Sequence, residues 1–190
     1  GATYVEAVLG VTLSPGGHHP HMGTHNLLLS LGAEEYLEVI AIDPEADVPG
    51  YPRWFDLDRF DDPPRMTNWV CRTDLLEDAL DTAPAGTGIP VELARGDFRW
   101  AMGVPDNGAL PFDGAMPALI EWGEGSPHPA RRLPDHGLRL SRLDVFHPQA
   151  DRLLEAFPAL RSLGHVAVRN GPEKRLIATI STPEGLRVLA

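Results

Sequence analysis

Short apolar runs separated by glycine and proline recur along the whole of this 190-residue chain. Glycine and proline, with 19 residues of each, together make up about a fifth of the sequence. Apolar runs of about four to eight residues between such breakers are typical of strands joined by turns. The pattern therefore predicts a sheet-rich α+β fold with a few short helices.

One order of elements, a strand, a helix and then three strands, recurs along the chain. The first copy starts directly with its helix, so its opening strand is missing, and the later copies begin near residues 66 and 138. The predicted elements are a helix ending at Gly10; strands over 11–14, 26–31 and 36–42; a strand over 66–72, a helix over 74–82 and strands near Val91, Trp100 and 118–122; then a strand over 138–146, a helix over 149–160 and strands over 165–169, 176–181 and 186–189.

A single unit of this kind leaves one face of its sheet uncovered, so two units must curl together or pack face to face. We therefore expect repeated βαβββ modules that form a curved mixed sheet around a cup. Residues 1–130 are predicted to form two modules, and residues 131–190 a third, C-terminal βαβββ-like module packed on them. The missing strand predicts that the native protein extends upstream of Gly1.

Three local features refine this prediction. Pro15-Gly16-Gly17 is predicted to be a turn, and Asp74 is predicted to be the N-cap of the second helix. The segment 43–64 is too long for a hairpin loop and carries four aromatic residues, which indicates a packed excursion or lid.

The charge balance excludes several classes of partner. Asp and Glu number 27 against 16 Lys and Arg, a formal net charge of −11, and such a surface repels a phosphate backbone. With Cys71 as the one cysteine, the chain has no intramolecular disulfide. It has no apolar run long enough to span a bilayer and no signal-peptide pattern. We expect a cytoplasmic protein without nucleic-acid or membrane partners, and a homodimer stays open.

Two glutamates interrupt apolar strands at equivalent positions. Glu38 lies in the strand over 36–42, and Glu121 lies in the last strand of the second module, over 118–122. A carboxylate on an apolar strand is costly unless it is hydrogen-bonded, paired with a cation or bound to a metal. If both face the cup, they are candidate metal ligands, or one is a candidate base with a raised pKa. The alternative is that each points to solvent.

A histidine-rich segment over 18–26 is the second concentration of polar chemistry. Four imidazoles within eight residues suit transition metals. Adjacent histidines in an extended chain point to opposite faces, however, which argues against a metal site made by this segment alone. We expect instead that members of this segment line the cup and contact a ligand: His19, Thr24, His25 and Asn26. His128, just after the Glu121 strand, is a further candidate.

Tryptophans on the strands of the second module are candidates for an apolar pocket wall. Trp69 and Trp122 are predicted to contact the ligand, with packing in the hydrophobic core as the alternative. Cys71, in the interior of a strand, is predicted to be an inert buried thiol.

In these motifs the chain resembles the vicinal oxygen chelate superfamily, and within it the glyoxalase-like domain proteins. The motifs are Gly17 to Asn26, Glu35 to Ile40, Leu119 to Gly123 and His128-Pro129, and together with the repeat they cover residues 1–130. The resemblance implies a cup of paired modules that holds a divalent metal (Zn, Fe, Mn or Ni) through first-strand and fourth-strand residues. It also implies lyase, isomerase or dioxygenase chemistry, with the metal as a Lewis acid.

Two functional hypotheses follow from the resemblance. In the first, the cup binds a small organic substrate and Glu38 and Glu121 act as metal ligands or as the base. In the second, the protein binds or sequesters a small molecule without catalysis, because Thr67 or Asn68 stands where the second module of this superfamily carries a ligand.

Overall fold

The computed structural model describes residues 1–190 and contains three sheets and three short α-helices. The helices are α1 (Ala2–Leu9), α2 (Leu76–Thr82) and α3 (Ala150–Ala156). The strands are β1 (Ser14–His19), β2 (Thr24–Ser30), β3 (Tyr36–Ile42), β4 (Val70–Arg72), β5 (Ile89–Arg95), β6 (Phe98–Val104), β7 (Ala118–Trp122), β8 (Arg139–His147), β9 (Val166–Asn170), β10 (Arg175–Thr182) and β11 (Gly185–Leu189). The predicted α+β class is confirmed. No helix combines the length and the apolar character that crossing a membrane requires.

The first sheet is an antiparallel meander in the order β1-β2-β3. Helix α1 precedes it and ends at Gly10, which adopts the left-handed conformation that closes a helix (φ 71°). The predicted strand over 11–14 is wrong: β1 begins at Ser14 and includes Pro15-Gly16-Gly17, which had been predicted as a turn. β1 is an edge strand, where proline is tolerated, and the register breaks in a bulge between Pro15 and His18.

The second sheet has the order β4-β7-β6-β5, with β4 parallel to β7 and the other pairs antiparallel. Its strands β5, β6 and β7 confirm the predicted ones. β4 covers only three residues of the predicted strand over 66–72, because β7 pairs with it only from Val70 to Arg72. Helix α2 begins at Leu76, two residues after the predicted start.

The third sheet has the order β11-β10-β8-β9, with β8 parallel to β9. Its elements follow the predicted sequence of strand, helix and three strands, but its pairing differs from that of the second sheet. In the second sheet the first strand pairs with the last one, whereas here β8 lies between β9 and β10. The third unit is therefore not an exact repeat of the module. Helix α3 ends at Ala156, short of the predicted end, because Pro158 cannot continue it.

Two apolar clusters stabilise this arrangement. The larger contains 21 buried residues and joins α1, the outer face of the first sheet and the third sheet. The smaller packs in the second sheet and under the segment 43–64; it consists of Met22, Trp54, Trp100, Met102, Leu110, Ala118 and Ile120. Cys71 is partly buried, and burial raises the pKa of its thiol to about 12, in keeping with an inert thiol.

Candidate functional site

A cup lies between the inner faces of the first and second sheets, and a polar group and an aromatic group of side chains line it. The polar side chains that line it are His19, Asn26, Tyr36, Glu38 and Arg95. The aromatic side chains that line it are Trp54, Phe55, Phe98, Trp100 and Trp122. A few polar groups in a mainly aromatic pocket are typical of small-molecule sites.

Asn26 lies at the centre of the polar group. Alternation along β2 turns Thr24, Asn26 and Leu28 toward the cup, and Asn26 is only 8% exposed. Its Oδ1 accepts a hydrogen bond from the backbone N–H of Gly17 (2.8 Å), and its Nδ2 donates to Glu38 Oε1 (2.5 Å). Because both ends of the amide are bound, its orientation is set by its partners.

His19 is held as a neutral acceptor. Arg95 Nη1, which can only donate, lies 3.1 Å from His19 Nε2. The proton of the imidazole therefore resides on Nδ1, which donates to the hydroxyl of Thr24 (3.0 Å). Burial first, and then the nearby charge of Arg95, lowers the pKa of His19 to about 4.

Glu38 reaches the cup from β3 on the same face as Tyr36. Burial raises the pKa of its carboxyl, and the hydrogen bond from Asn26 and the charge of Arg95 oppose this rise. Burial also raises the pKa of Tyr36, so its phenol stays neutral. Oε1 is occupied by Asn26, whereas Oε2 receives no hydrogen bond from the protein. Glu38 therefore offers one free oxygen to a bound molecule.

Glu121 lies on the opposite face of its sheet, so the prediction that both carboxylates point into one cup is wrong. Its neighbours Ile120 and Trp122 face the cup, and alternation turns Glu121 away. Its Oε2 accepts a hydrogen bond from the backbone N–H of Leu76 (2.6 Å), at the start of α2. The carboxylate thus satisfies a free N–H of that helix.

The other predicted site residues divide between the cup and its surroundings. His19, Asn26 and Trp122 line the cup, and buried Thr24 supports His19 from beneath. His25 lies on the outer face, where its ring stacks on that of His18 (6.2 Å between centroids).

Two predicted contact residues lie behind or away from the cup. Trp69 belongs to the larger apolar cluster and donates from Nε1 to the carbonyl of Ala115 (2.9 Å), so core packing is its role. His128 packs edge-on against Tyr36 and Trp122, at 5.7 and 5.6 Å between ring centroids. It supports two residues of the wall.

Arg95 is a further residue of the cup, and it was not among the predicted site residues. It is the last residue of β5 and is partly buried, in phase with the partly buried Val91 and Leu93. Its guanidinium reaches the first sheet, where Nη1 lies near His19 and Asn26 Oδ1 (3.3 Å). In the sequence, Arg95 stands at a position of β5 where alternation predicts an apolar, inward-facing residue. A cation at such a position is the signal that could have identified Arg95 as a site residue.

The segment 43–64 covers the cup through Trp54 and Phe55. Trp54 is 4% exposed, and its Nε1–H is buried without an acceptor. Phe55 and Asp56 both have φ of 59°, a conformation that is unfavourable for residues with side chains and that concentrates at functional sites. The predicted packed excursion is thus confirmed.

The residues of the cup do not fit the divalent metal that the superfamily implies. No group of three or more His, Cys, Asp and Glu side chains lies together in the structure. Of the two predicted ligands only Glu38 faces the cup, and the lone pair of His19 Nε2 is directed at the guanidinium of Arg95. A fixed cation at this place also opposes a second cation beside it.

Comparison with known proteins agrees with this architecture. A family model described as "Glyoxalase-like domain" matches residues 1–161. No curated protein matches the chain. A crystal structure of a hypothetical protein from Staphylococcus aureus is similar, with a TM-score of 0.54 and 13% identity over 87% of this chain and 79% of that one. At this identity the likeness concerns the fold alone.

Proposed function

Since the chain belongs to the glyoxalase-like domain family of the vicinal oxygen chelate superfamily, we propose that its cup binds a small organic molecule and that Glu38 exchanges a proton with it. The observation that carries this proposal is an ionisable carboxyl in an aromatic pocket, with one oxygen held by Asn26 and the other free. The reaction class is a lyase or isomerase reaction that begins with proton removal.

The environment of Glu38 suits a general base. Burial raises the pKa of the carboxyl, which brings its basicity closer to that needed near neutral pH. The hydrogen bond from Asn26 to Oε1 fixes the direction of the free Oε2. In the proposed step a C–H bond next to a carbonyl breaks, the proton goes to Oε2, and the electron pair moves onto the carbonyl oxygen. Return of the proton to another carbon gives an isomerase, and loss of a neighbouring leaving group gives a lyase.

Hydrogen exchange with solvent tests this proposal without knowledge of the natural substrate. The protein is incubated in D₂O with a panel of small carbonyl compounds, and loss of their C–H signals is followed by proton NMR. We expect exchange of at least one compound by the native protein and a loss of about 10²-fold or more in Glu38→Gln. Glu92→Gln, an exposed glutamate on β5, is the matched control. Equal exchange in the native protein and Glu38→Gln would contradict the role of Glu38 as base.

Binding without catalysis is the second candidate function. The observation that favours it is that Glu38 is the one carboxyl that lines the cup. His19 is engaged by Arg95 at Nε2 and by Thr24 at Nδ1, and burial raises the pKa of the Tyr36 phenol, which makes it a poor proton donor. In this case a ligand raises the midpoint of thermal unfolding by mass action. Compounds that do so and are recovered unchanged after long incubation support sequestration, whereas conversion to a product rules it out.

A further inference from the structure

We infer that the ligand of the cup is a small carboxylate that pairs with Arg95, so that a guanidinium of the protein takes the place of a bound metal ion. This inference rests on the proposed function, because it names the ligand class of the same cup. Four observations support it: an unpaired cation, a surplus of hydrogen-bond donors, the close fit of the backbone around Arg95, and the small free space.

Arg95 is a partly buried cation without an anionic partner. No carboxylate oxygen lies within 4.0 Å of its guanidinium, whereas Arg53, which is buried near the segment 43–64, is paired with Asp58. Asn26 lies between Arg95 and Glu38, since its Oδ1 accepts from Arg95 and its Nδ2 donates to Glu38. Partly buried charges are costly unless they are paired. The cup is therefore built around a cation that a ligand can neutralise.

Hydrogen-bond donors exceed acceptors in the cup. Only Nη1 of Arg95 donates to the protein, at 3.1 Å to His19 and 3.3 Å to Asn26. Its Nε and Nη2 donate to no protein group. The indole Nε1–H of Trp54, which also lines the cup, is buried without an acceptor. Buried donors without acceptors are rare in folded proteins, so a ligand that supplies acceptor oxygens completes the site.

The backbone of β1 is shaped to admit the arginine. A Cβ on Gly17 would lie 2.7 Å from Arg95 Cδ and 3.1 Å from Nε and Nη1. A Cβ on Gly16 would lie 2.0 Å from Asn26 Oδ1. The two glycines of the bulge therefore allow Asn26 and Arg95 to approach the strand closely. This fit holds the guanidinium in a defined position.

A carboxylate suits the geometry better than a phosphate. The planar guanidinium forms two parallel hydrogen bonds with a carboxylate. A phosphate ester carries about two negative charges at neutral pH, which one guanidinium beside Glu38 cannot balance. The free space in the cup is about 40 Å³, room for a few non-hydrogen atoms. The aromatic wall then contacts the short apolar part of the ligand.

Matched acids and neutral analogues test this inference. Binding of pyruvate and acetate, and of their neutral counterparts methyl pyruvate and acetamide, is measured by isothermal titration or by ligand-observed NMR at pH 7. We expect the acids to bind about tenfold or more tightly than the neutral analogues. Arg95→Met should lose this preference, and Arg95→Lys, which keeps the charge and loses the planar fork, should retain part of it.

Arg99→Met is the matched control, because Arg99 is exposed on the neighbouring strand and forms no ion pair. It should bind the acids like the native protein. Circular dichroism of Arg95→Met checks that the variant is folded. Trp54→Phe, which removes the N–H donor and keeps an aromatic side chain, should weaken binding of the acids several-fold.

Two results would overturn the inference. One is equal binding of acids and neutral analogues to the native protein. The other is an unchanged preference for acids in a folded Arg95→Met variant. Neither result bears on the proposed function, which the hydrogen-exchange experiment with Glu38→Gln tests separately. If no compound of the exchange panel or of these pairs binds or exchanges, the proposed function itself fails.

Discussion

At the scale of single residues, Asn26 and the two glycines beside it organise the cup. One amide joins the strand β1, the carboxyl of Glu38 and the guanidinium of Arg95. Gly16 and Gly17 looked like turn residues in the sequence, yet they lie within a strand and make room for side chains from elsewhere. The absence of a side chain is what the site requires at these two positions.

Gly17→Ala should therefore disturb the cup. The new Cβ would lie 2.7 Å from Arg95 Cδ, so the arginine or the strand must move. We expect a decrease in the free energy of unfolding of about 1–3 kcal/mol, measured by urea denaturation, together with weaker binding of pyruvate. Gly50→Ala is the control, because no atom lies within 4 Å of a Cβ at that position. Equal stability of the two variants would show that the approach of Arg95 to β1 is not tight.

His19 makes the stability of the protein depend on pH. Its pKa falls from 6.5 to about 4 on folding, so between these pH values the unfolded chain binds a proton that the folded protein does not. Above pH 6.5, His19 is neutral in both states and the free energy of unfolding is not reduced by its titration. As the pH falls toward 4, the free energy of unfolding decreases by up to about 3 kcal/mol, because only the unfolded chain binds the proton.

Urea denaturation between pH 4 and 7.5 measures this effect. His19→Gln should reduce the loss of stability on acidification, whereas His136→Gln, at an exposed histidine, should leave it unchanged. If the free energy of unfolding changed with pH equally in the native protein and in His19→Gln, the pKa of His19 would not be lowered by folding.

At the scale of elements, helix α2 shows how a residue with a functional appearance serves a structural purpose. Asp74 was predicted to cap this helix, and that prediction is wrong. The N-cap position is Leu75, whose side chain forms no capping hydrogen bond. The carboxylate of Glu121, 45 residues away in sequence, accepts from the N–H of Leu76. A cap supplied by another element cannot be found from the local pattern of the helix.

Glu121→Ala should destabilise the protein without weakening binding in the cup. Loss of the capping acceptor and of its charge at the helix N-terminus costs about 1–2 kcal/mol of the free energy of unfolding, measured by urea denaturation. Glu124→Ala, an exposed glutamate after the same strand, should have little effect. Loss of ligand binding in Glu121→Ala at unchanged stability would instead assign Glu121 to the site.

At the scale of the whole molecule, the three sheets share apolar packing. The larger cluster extends from Val5 of α1 through Leu29 of β2 to Leu176 of β10, and it includes Trp69 near the second sheet. The third sheet therefore shares one buried cluster with α1 and the first sheet, although its strand order differs from that of the module. Because residues of all these elements are buried in one cluster, we expect the protein to unfold in one cooperative transition.

The tryptophans make this prediction simple to check. All four lie between residues 54 and 122, and the third sheet has none. Leu176→Ala, at a fully buried position of the third sheet, should lower the free energy of unfolding by about 2–5 kcal/mol. Tryptophan fluorescence and far-UV circular dichroism should report the same shifted midpoint. Leu186→Ala, 65% exposed, is the control. Separate midpoints would show that the third sheet unfolds on its own.

Local patterns in the sequence determined the elements and part of the site. Periodicity and breakers predicted α1, β3, β5 to β7 and the α+β class, because apolar alternation and glycine or proline stops act over a few residues. The same patterns indicated Glu38, His19, Asn26 and Trp122 as residues of the cup. They did not distinguish Glu38 from Glu121, since both interrupt apolar strands.

Only the tertiary structure decided which face of each strand meets the cup and which strands pair. Alternation defines two faces of a strand but not which of them is the inner one, so Glu121 was assigned to the wrong side. The partners of β8 and the reach of Arg95 to His19, 76 residues away in sequence, depend on long-range burial. As a result, the cup contains one carboxylate, Glu38, and one guanidinium, Arg95, where the sequence predicted two carboxylates.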